Sequence, residues 1–158
     1  MASANPRPIG KATMIIRRPP GEVYRAFVEP DMLTRFWLSG ASGPLTVGHP
    51  VRWDFMVPGA TLQCEARVLD EGKRIEVGWP DGTTVTWRFS PGIESTTLVE
   101  IEHQGFKGSP QEQLDAAIDS TQGFSIVLCD LKVLLETNTS PHLVRDKALL
   151  LQSAQTRR

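Results

Sequence analysis

The chain has 158 residues, of which 40% are hydrophobic and 22% charged, with a formal net charge of −1. This length suits one domain with one sizeable core. A nearly neutral chain lacks the positive field that nucleic-acid binding requires, so nucleic acid is not an expected partner. No run of about 20 apolar residues marks a membrane span, and the opening MASANPRPIGKATM has no apolar signal-peptide region. We therefore expect a cytoplasmic protein without a membrane partner.

The sequence carries none of the common signatures of phosphate-binding loops, dinucleotide-binding folds, serine hydrolases or zinc proteases. Its two cysteines, Cys64 and Cys129, are far apart, so they form neither a CxxC redox pair nor a zinc cluster. The three histidines do not share the helical spacing of a metal site. The sequence therefore predicts no metal, no cofactor and no catalytic residue.

Residues 1–10 are polar and contain two prolines, which is typical of a mobile N-terminal arm. Proline and glycine then divide the next 30 residues into three short elements, because both residues interrupt regular structure. The predicted elements are a strand over 11–18, a short helix over 22–28, and a second short helix that Asp31 caps and Ser39-Gly40 ends.

From residue 47 to residue 103 the hydrophobicity alternates with a period of two, which indicates strands with one covered and one solvated face. Breaks containing Pro and Gly, at the spacing of hairpin turns, indicate an antiparallel meander. The predicted strands are 51–57, 61–69, 74–79, 83–90 and 97–103. The aromatic residues expected on the covered face are Trp53, Phe55, Trp79, Trp87 and Phe89.

His103 ends the apolar stripe of the last predicted strand. A buried neutral imidazole needs a partner for its N–H, and the candidates are a backbone carbonyl, Cys64 or a hydroxyl such as that of Thr121 or Ser125. Three roles stay open for His103: a core residue, a residue that orients a ligand, and an acid–base catalyst. Catalysis is the least favoured of the three, because no inward-facing carboxylate is predicted to orient the imidazole.

Ser109, Pro110 and Glu112 are typical of a helix start, since they supply an N-cap, a proline at the first position and a capping-box glutamate. The spacing of apolar residues predicts a helix over 110–136 that covers the sheet. Gly123 interrupts the pattern, and it either breaks the helix or lets another group approach the backbone closely. The predicted inward stripe is Leu114, Ile118, Thr121, Phe124, Ser125, Leu128, Leu131 and Leu135.

Ser140-Pro141 is predicted to begin a last short helix. Residues 139–158 then form a C-terminal extension to a main domain of residues 11–138. The extension either folds back on that domain or contacts a second copy of the chain in a homodimer.

The order of strand, two short helices, antiparallel meander and long helix resembles the helix-grip (START/Bet v1-like) fold of the START-like (SRPBCC) superfamily. That α+β fold has a curved antiparallel β-sheet wrapped around a long C-terminal α-helix. Residues 11–137 more specifically resemble the activator of Hsp90 ATPase homologue 1-like (AHSA1-like) family. The matching segments are ATMIIRRPPGEVYRAFVEPDMLTRFWL, the glycine-led GHPVR, the apolar strand ending in Trp79, TLVEIEHQGF, and the Gly123-Phe124 helix signature, with Phe124 where tryptophan is more usual.

The resemblance implies non-enzymatic binding of a small hydrophobic or amphipathic molecule in a cavity between sheet and helix. If that space is filled, the same residues form an ordinary core. Two alternatives are a co-chaperone-like stress-response module that binds an Hsp90-type protein, and a cyclase, hydrolase or dehalogenase acting on an apolar substrate. The residues expected to bind the ligand are Trp53, Phe55, Trp79, Trp87, Phe89, His103, Phe124, Ser125 and Leu128.

Overall fold

The computed structural model describes residues 6–156, so the first five residues of the predicted N-terminal arm lie outside the described residues. Within that range the chain forms seven strands and four helices. Their bounds are β1 (Gly10–Ile16), α1 (Pro20–Ala26), α2 (Pro30–Phe36), β2 (Leu38–Ala41), β3 (Val51–Phe55), β4 (Thr61–Asp70), β5 (Arg74–Gly78), β6 (Thr84–Pro91), β7 (Thr97–Gln104), α3 (Pro110–Thr137) and α4 (Leu143–Thr156).

The strands form one antiparallel sheet in the order β1-β7-β6-β5-β4-β3-β2. The predicted meander is confirmed, as is the helix-grip architecture with two short helices after the first strand. The end of the second helix was predicted wrongly, because Ser39 and Gly40 lie in β2. This helix also starts before the predicted cap, with Pro30 in its first turn, a position where a missing N–H costs nothing.

The covered face of the sheet packs against α1 and α2 through aromatic side chains. Trp53 and Trp87 are fully buried, as the alternation predicted. The Phe27 ring of the α1 C-cap lies 5.7 Å from the Trp87 ring and 5.5 Å, edge to face, from Phe36. Such tilted and edge-to-face arrangements are favourable beyond the burial of apolar area. The core is therefore filled at this end of the sheet.

Helix α3 is continuous from Pro110 to Thr137, and the predicted capping box of Ser109 and Glu112 is present. The prediction of a break at Gly123 is wrong. The alternative, close approach of another group, also finds no support, because a Cβ atom built at Gly123 meets no atom within 4 Å. The inward stripe was wrong in the first half of the helix, where Leu114 and Ile118 are exposed.

One side of α3 lies along β1, the edge strand of the sheet. Edge strands expose unpaired backbone N–H and C=O groups that need partners. Side chains of α3 supply these partners at both ends of β1. Thr121 Oγ1 accepts from the Lys11 N–H (3.0 Å), Lys132 Nζ donates to the Ile15 carbonyl (2.6 Å), and Glu136 Oε2 accepts from the Arg17 N–H (3.0 Å).

Helix α4 folds back on α3, and a buried carboxylate holds its first turn. Asp130 of α3 is 1% exposed. Its Oδ1 accepts from the Ser140 hydroxyl (2.8 Å), and its Oδ2 accepts from the Val144 N–H (3.2 Å). Asp130 thus caps a neighbouring helix, because the first backbone N–H groups of a helix have no partner within it.

We predict that Asp130→Ala loosens α4. The substitution leaves the half-buried Ser140 hydroxyl and a helix N–H without their acceptor, which costs about 2 kcal/mol of unfolding free energy. Hydrogen exchange should become faster at the amides of the first turn of α4. Asp115→Ala, an exposed position on the same helix, is the control and should change stability by less than about 0.5 kcal/mol. Unchanged exchange in Asp130→Ala would contradict the assigned role.

Candidate ligand-binding site

A cavity of about 490 Å³ lies between the sheet, α3 and α4. The sheet contributes residues near the ends of β3, β5 and β7, and α3 contributes its middle turns. Val144 and Lys147 of α4 form another wall. The open space at Gly123, which lines the cavity, belongs to this volume.

Aromatic rings make up much of the cavity wall. Trp79 stacks on Phe55 (centroids 6.2 Å apart, 15° between planes) and on His103 (5.7 Å, 28°). Phe106 and Phe124 approach the His103 ring edge to face, at 4.7 and 6.0 Å. An apolar wall with few polar groups is typical of small-molecule sites.

The polar corner of the cavity is a chain of four side chains: Asp81, Thr83, His103 and Ser120. Thr83 Oγ1 donates to Asp81 Oδ1 (2.6 Å), and the Thr83 N–H donates to the same oxygen (2.8 Å). His103 Nε2 lies 2.7 Å from Thr83 Oγ1, and His103 Nδ1 lies 2.8 Å from Ser120 Oγ. Asp81, His103 and Ser120 all line the cavity.

This geometry selects one tautomer of neutral His103. A threonine hydroxyl has a single hydrogen, and here it is donated to the Asp81 carboxylate. His103 Nε2 must therefore carry a proton and donate to Thr83. Nδ1 is then the acceptor of the Ser120 hydroxyl, so every hydrogen in the chain points toward Asp81.

Burial lowers the pKa of His103 below its ordinary value of 6.5, although the Asp81 charge acts in the opposite direction. Burial also works to raise the pKa of Asp81. Hydrogen bonds from the Thr83 side chain and backbone, together with the charges of His103 and Lys107, nevertheless hold that pKa below its ordinary value of 3.8. Near neutral pH the corner thus contains a neutral imidazole and a carboxylate.

Gly10 allows this corner to form. It pairs with His103 across β1 and β7, and a Cβ atom at Gly10 would lie 2.7 Å from Ser120 Oγ and 2.8 Å from Ser120 Cβ. Any larger residue would therefore push α3 away from β1. Ser120 reaches His103 because residue 10 has no side chain.

Of the nine residues predicted to bind the ligand, the structure brings four together at this cavity. They are Phe55, Trp79, His103 and Phe124. The Ser125 hydroxyl donates to the Thr121 carbonyl, and its side chain lines a different groove between α3 and α4. The remaining four, which are buried in the core, are Trp53, Trp87, Phe89 and Leu128.

A hydroxyl partner for His103 was among the predicted alternatives, but the residues named for it were wrong, since the hydroxyls belong to Thr83 and Ser120. The expectation of no inward carboxylate was also wrong, because Asp81 reaches the imidazole through Thr83. A local signal existed: Asp two residues before Thr in a hairpin commonly accepts its backbone N–H. No local pattern indicated Ser120.

Among residues 6–156, no group of three or more His, Cys, Asp or Glu side chains is arranged to hold a metal ion. None of the helices in this range is long and apolar enough to cross a membrane.

We predict that the protein becomes less stable as the pH falls below about 6.5. The pKa of His103 is lower in the folded chain than in the unfolded chain, so the unfolded chain binds more protons in this window. Urea unfolding between about pH 7 and pH 5 should show a falling midpoint that falls less in His103→Asn. Asp81 changes the stability only at lower pH, because its folded pKa lies below 3.8.

The control for this titration is His49→Asn, the same substitution at an exposed histidine outside the strands. The urea midpoint of this variant should depend on pH as that of the wild type does. The same slope of urea midpoint against pH in the wild type, His103→Asn and His49→Asn would contradict the assignment of the effect to His103.

The family model described as activator of Hsp90 ATPase homolog 1-like protein matches residues 17–136. A search of curated proteins found no match. Among solved structures, SSP2350 from Staphylococcus saprophyticus is 22% identical with a TM-score of 0.73, covering 84% of this chain and 94% of that one.

Two further structures share the fold at similar identity. The Aha1 dimer from Colwellia psychrerythraea is 20% identical with a TM-score of 0.70, covering 82% of this chain and 96% of that one. DynU16, from the dynemicin biosynthetic locus, is 19% identical with a TM-score of 0.73, covering 85% of this chain and 49% of that one. The family match spans most of the sheet and α3, and the chain therefore belongs to the AHSA1-like family of the START-like (SRPBCC) superfamily.

Proposed function

We propose that the protein binds a small amphipathic molecule in the cavity between the sheet, α3 and α4. The observation that carries the proposal is an aromatic-walled space of about 490 Å³ with one polar corner. This volume falls within the range of about 300 to 1,000 Å³ that is usual for ligand pockets. An apolar ligand body would lie against the rings, and a polar group would meet the corner.

Trp79 offers such a ligand its ring and not its nitrogen. The residue lines the cavity, but its indole Nε1 is buried, with no hydrogen-bond partner among the residues that the structure describes. Because this nitrogen has no accessible surface, the polar contacts of a ligand are those of the corner.

Gly123→Leu should abolish ligand binding without unfolding the protein. The added side chain enters open space in the cavity, and replacing a helical glycine removes a cost of up to about 1 kcal/mol. Native mass spectrometry of the purified wild type, followed by denaturing extraction, should show a bound small molecule that Gly123→Leu lacks.

Val133→Leu is the matched control, because Val133 is partly exposed on the same helix and does not line the cavity. It should retain the adduct. A wild-type protein that shows no adduct and binds no apolar probe would contradict the proposed function, as would equal binding in Gly123→Leu.

A second candidate function is self-association through α4. Leu149, Leu150 and Leu151 are 52%, 67% and 46% exposed, which is an unusual concentration of exposed leucine for a surface helix. The Colwellia protein was solved as a dimer, and by analogy we propose a homodimer here. A chaperone partner, a role in stress response and the cytoplasmic location stay predictions.

Light scattering after size exclusion tests the homodimer. We expect a dimer mass for the wild type and a monomer mass for Leu150→Glu, because a buried carboxylate would disfavour an apolar interface. Ile93→Glu, at a side chain that is 83% exposed in the β6–β7 turn, should remain dimeric. A wild-type monomer at high concentration would remove this candidate.

A further inference from the structure

The polar corner is more elaborate than ligand binding alone requires. Ser120 and Asp81, the two ends of its hydrogen-bond chain, both line the cavity. Thr83 and His103 link them through three contacts of 2.6 to 2.8 Å. Thr83 is 3% exposed, so the linking hydroxyl is withheld from solvent.

The direction of the hydrogen bonds decides what a ligand meets at Ser120. The hydroxyl hydrogen of Ser120 is donated to His103 Nδ1, which leaves lone pairs on Ser120 Oγ as the available groups. A ligand at this point therefore needs a hydrogen-bond donor. A hydroxyl suits the site, whereas a carboxylate or a ketone would place an acceptor against an acceptor.

On the basis of the proposed cavity binding, we propose that this corner acts as a base toward weak oxygen acids, the phenols and enols. The ligand hydroxyl donates to Ser120 Oγ, and its proton is relayed to His103. The product is the bound phenolate or enolate. Nothing is oxidised or reduced in this step.

The proton balance involves two transfers. The ligand O–H bond breaks and its electron pair stays on the ligand oxygen, while Ser120 Oγ takes that proton and passes its own to His103 Nδ1. The imidazolium that forms donates to Ser120 from Nδ1 and to Thr83 from Nε2. Asp81 accepts from Thr83 and so balances the new positive charge.

Charged groups from each surrounding element face this transfer. Asp81 lies in the β5–β6 turn, and Lys107, which affects its titration, lies in the loop before α3. Asp119 of α3 and Lys147 of α4 line the cavity, and Lys147 Nζ donates to Gln122 Oε1 (3.1 Å). Burial lowers the pKa of His103, so the imidazole is neutral near neutral pH with a lone pair on Nδ1. Because burial also weakens it as a base, the ligand anion and Asp81 must stabilise the imidazolium that forms.

The position of Ser120 favours the role of a base over that of a nucleophile. Ser120 lies in the middle of the continuous helix α3, where the backbone N–H groups bond to carbonyls one turn earlier. This segment of α3 therefore has no free N–H groups to stabilise the oxyanion of an acyl-transfer reaction.

The test uses two probes with the same apolar body, 2-naphthol and 2-methoxynaphthalene, on the full-length protein. Naphtholate absorbs at longer wavelength than naphthol and than tryptophan, so ionisation of the bound probe is followed directly. We expect both probes to bind through their shared apolar body, and 2-naphthol to bind more tightly, because the ether oxygen has no hydrogen to donate to Ser120. Bound 2-naphthol should ionise about 1 to 3 pH units below the free compound, the shift that an adjacent positive charge produces.

Two variants test whether the shift in 2-naphthol ionisation depends on the chain of hydrogen bonds. His103→Asn keeps an acceptor near the position of Nδ1 but is not basic, and Ser120→Ala removes the contact atom. Both should still bind the methyl ether, which also shows that they are folded, and both should lose the shift in naphthol ionisation. His49→Asn, the exposed matched control, should keep the full shift.

The outcomes separate the two proposals. If the wild type binds both probes and 2-naphthol ionises as in water, the base is overturned and cavity binding stands. A shift that persists in both His103→Asn and Ser120→Ala also overturns the base, because it would then arise from another cation such as Lys147. If the wild type binds neither probe, both proposals fail.

Discussion

The arrangement of α3 along the free edge of β1 is the interaction on which the cavity depends. An edge strand must satisfy its outward N–H and C=O groups, and here Thr121 and Lys132 satisfy two of them from the helix. Glu136 accepts from the N–H of Arg17, the residue that follows the strand. These bonds fix the position of α3 along β1 and its rotation about its own axis. Because Gly10 pairs with His103, the same docking brings Ser120 to the imidazole.

The sequence could predict which face of each strand is covered, but not how far along the strand the cover extends. Alternation places Trp53, Phe55, Trp79, Trp87 and Phe89 on the same face, and the structure divides this set between core and cavity. Two residues along a strand correspond to about 7 Å. Of two neighbouring positions on the covered face, one can therefore lie in the filled core and the other at the cavity. That boundary follows from where α1, α2 and α4 pack, which is a matter of tertiary structure.

The same distinction between local and distant contacts explains the helix and the polar corner. The capping box of Ser109 and Glu112 is local and was predicted. The rotation of α3 was not, because exposed Leu114 and Ile118 mimic a buried stripe. Because Leu114 and Ile118 lie on the solvent side of α3, Ser120 lies on the side that faces the sheet. The partners of His103 thus come from residues 17 to 20 positions away, a distance that periodicity does not reach.

Helix α4 adds a wall to the site from beyond the family match. The family match ends at residue 136, yet Val144 and Lys147, beyond that limit, line the cavity. The carboxylate that holds α4 in place, Asp130, lies inside the matched region. The matched region therefore supplies most of the sheet, the aromatic rings and the anchor of α4. Residues beyond it supply one wall, including Lys147.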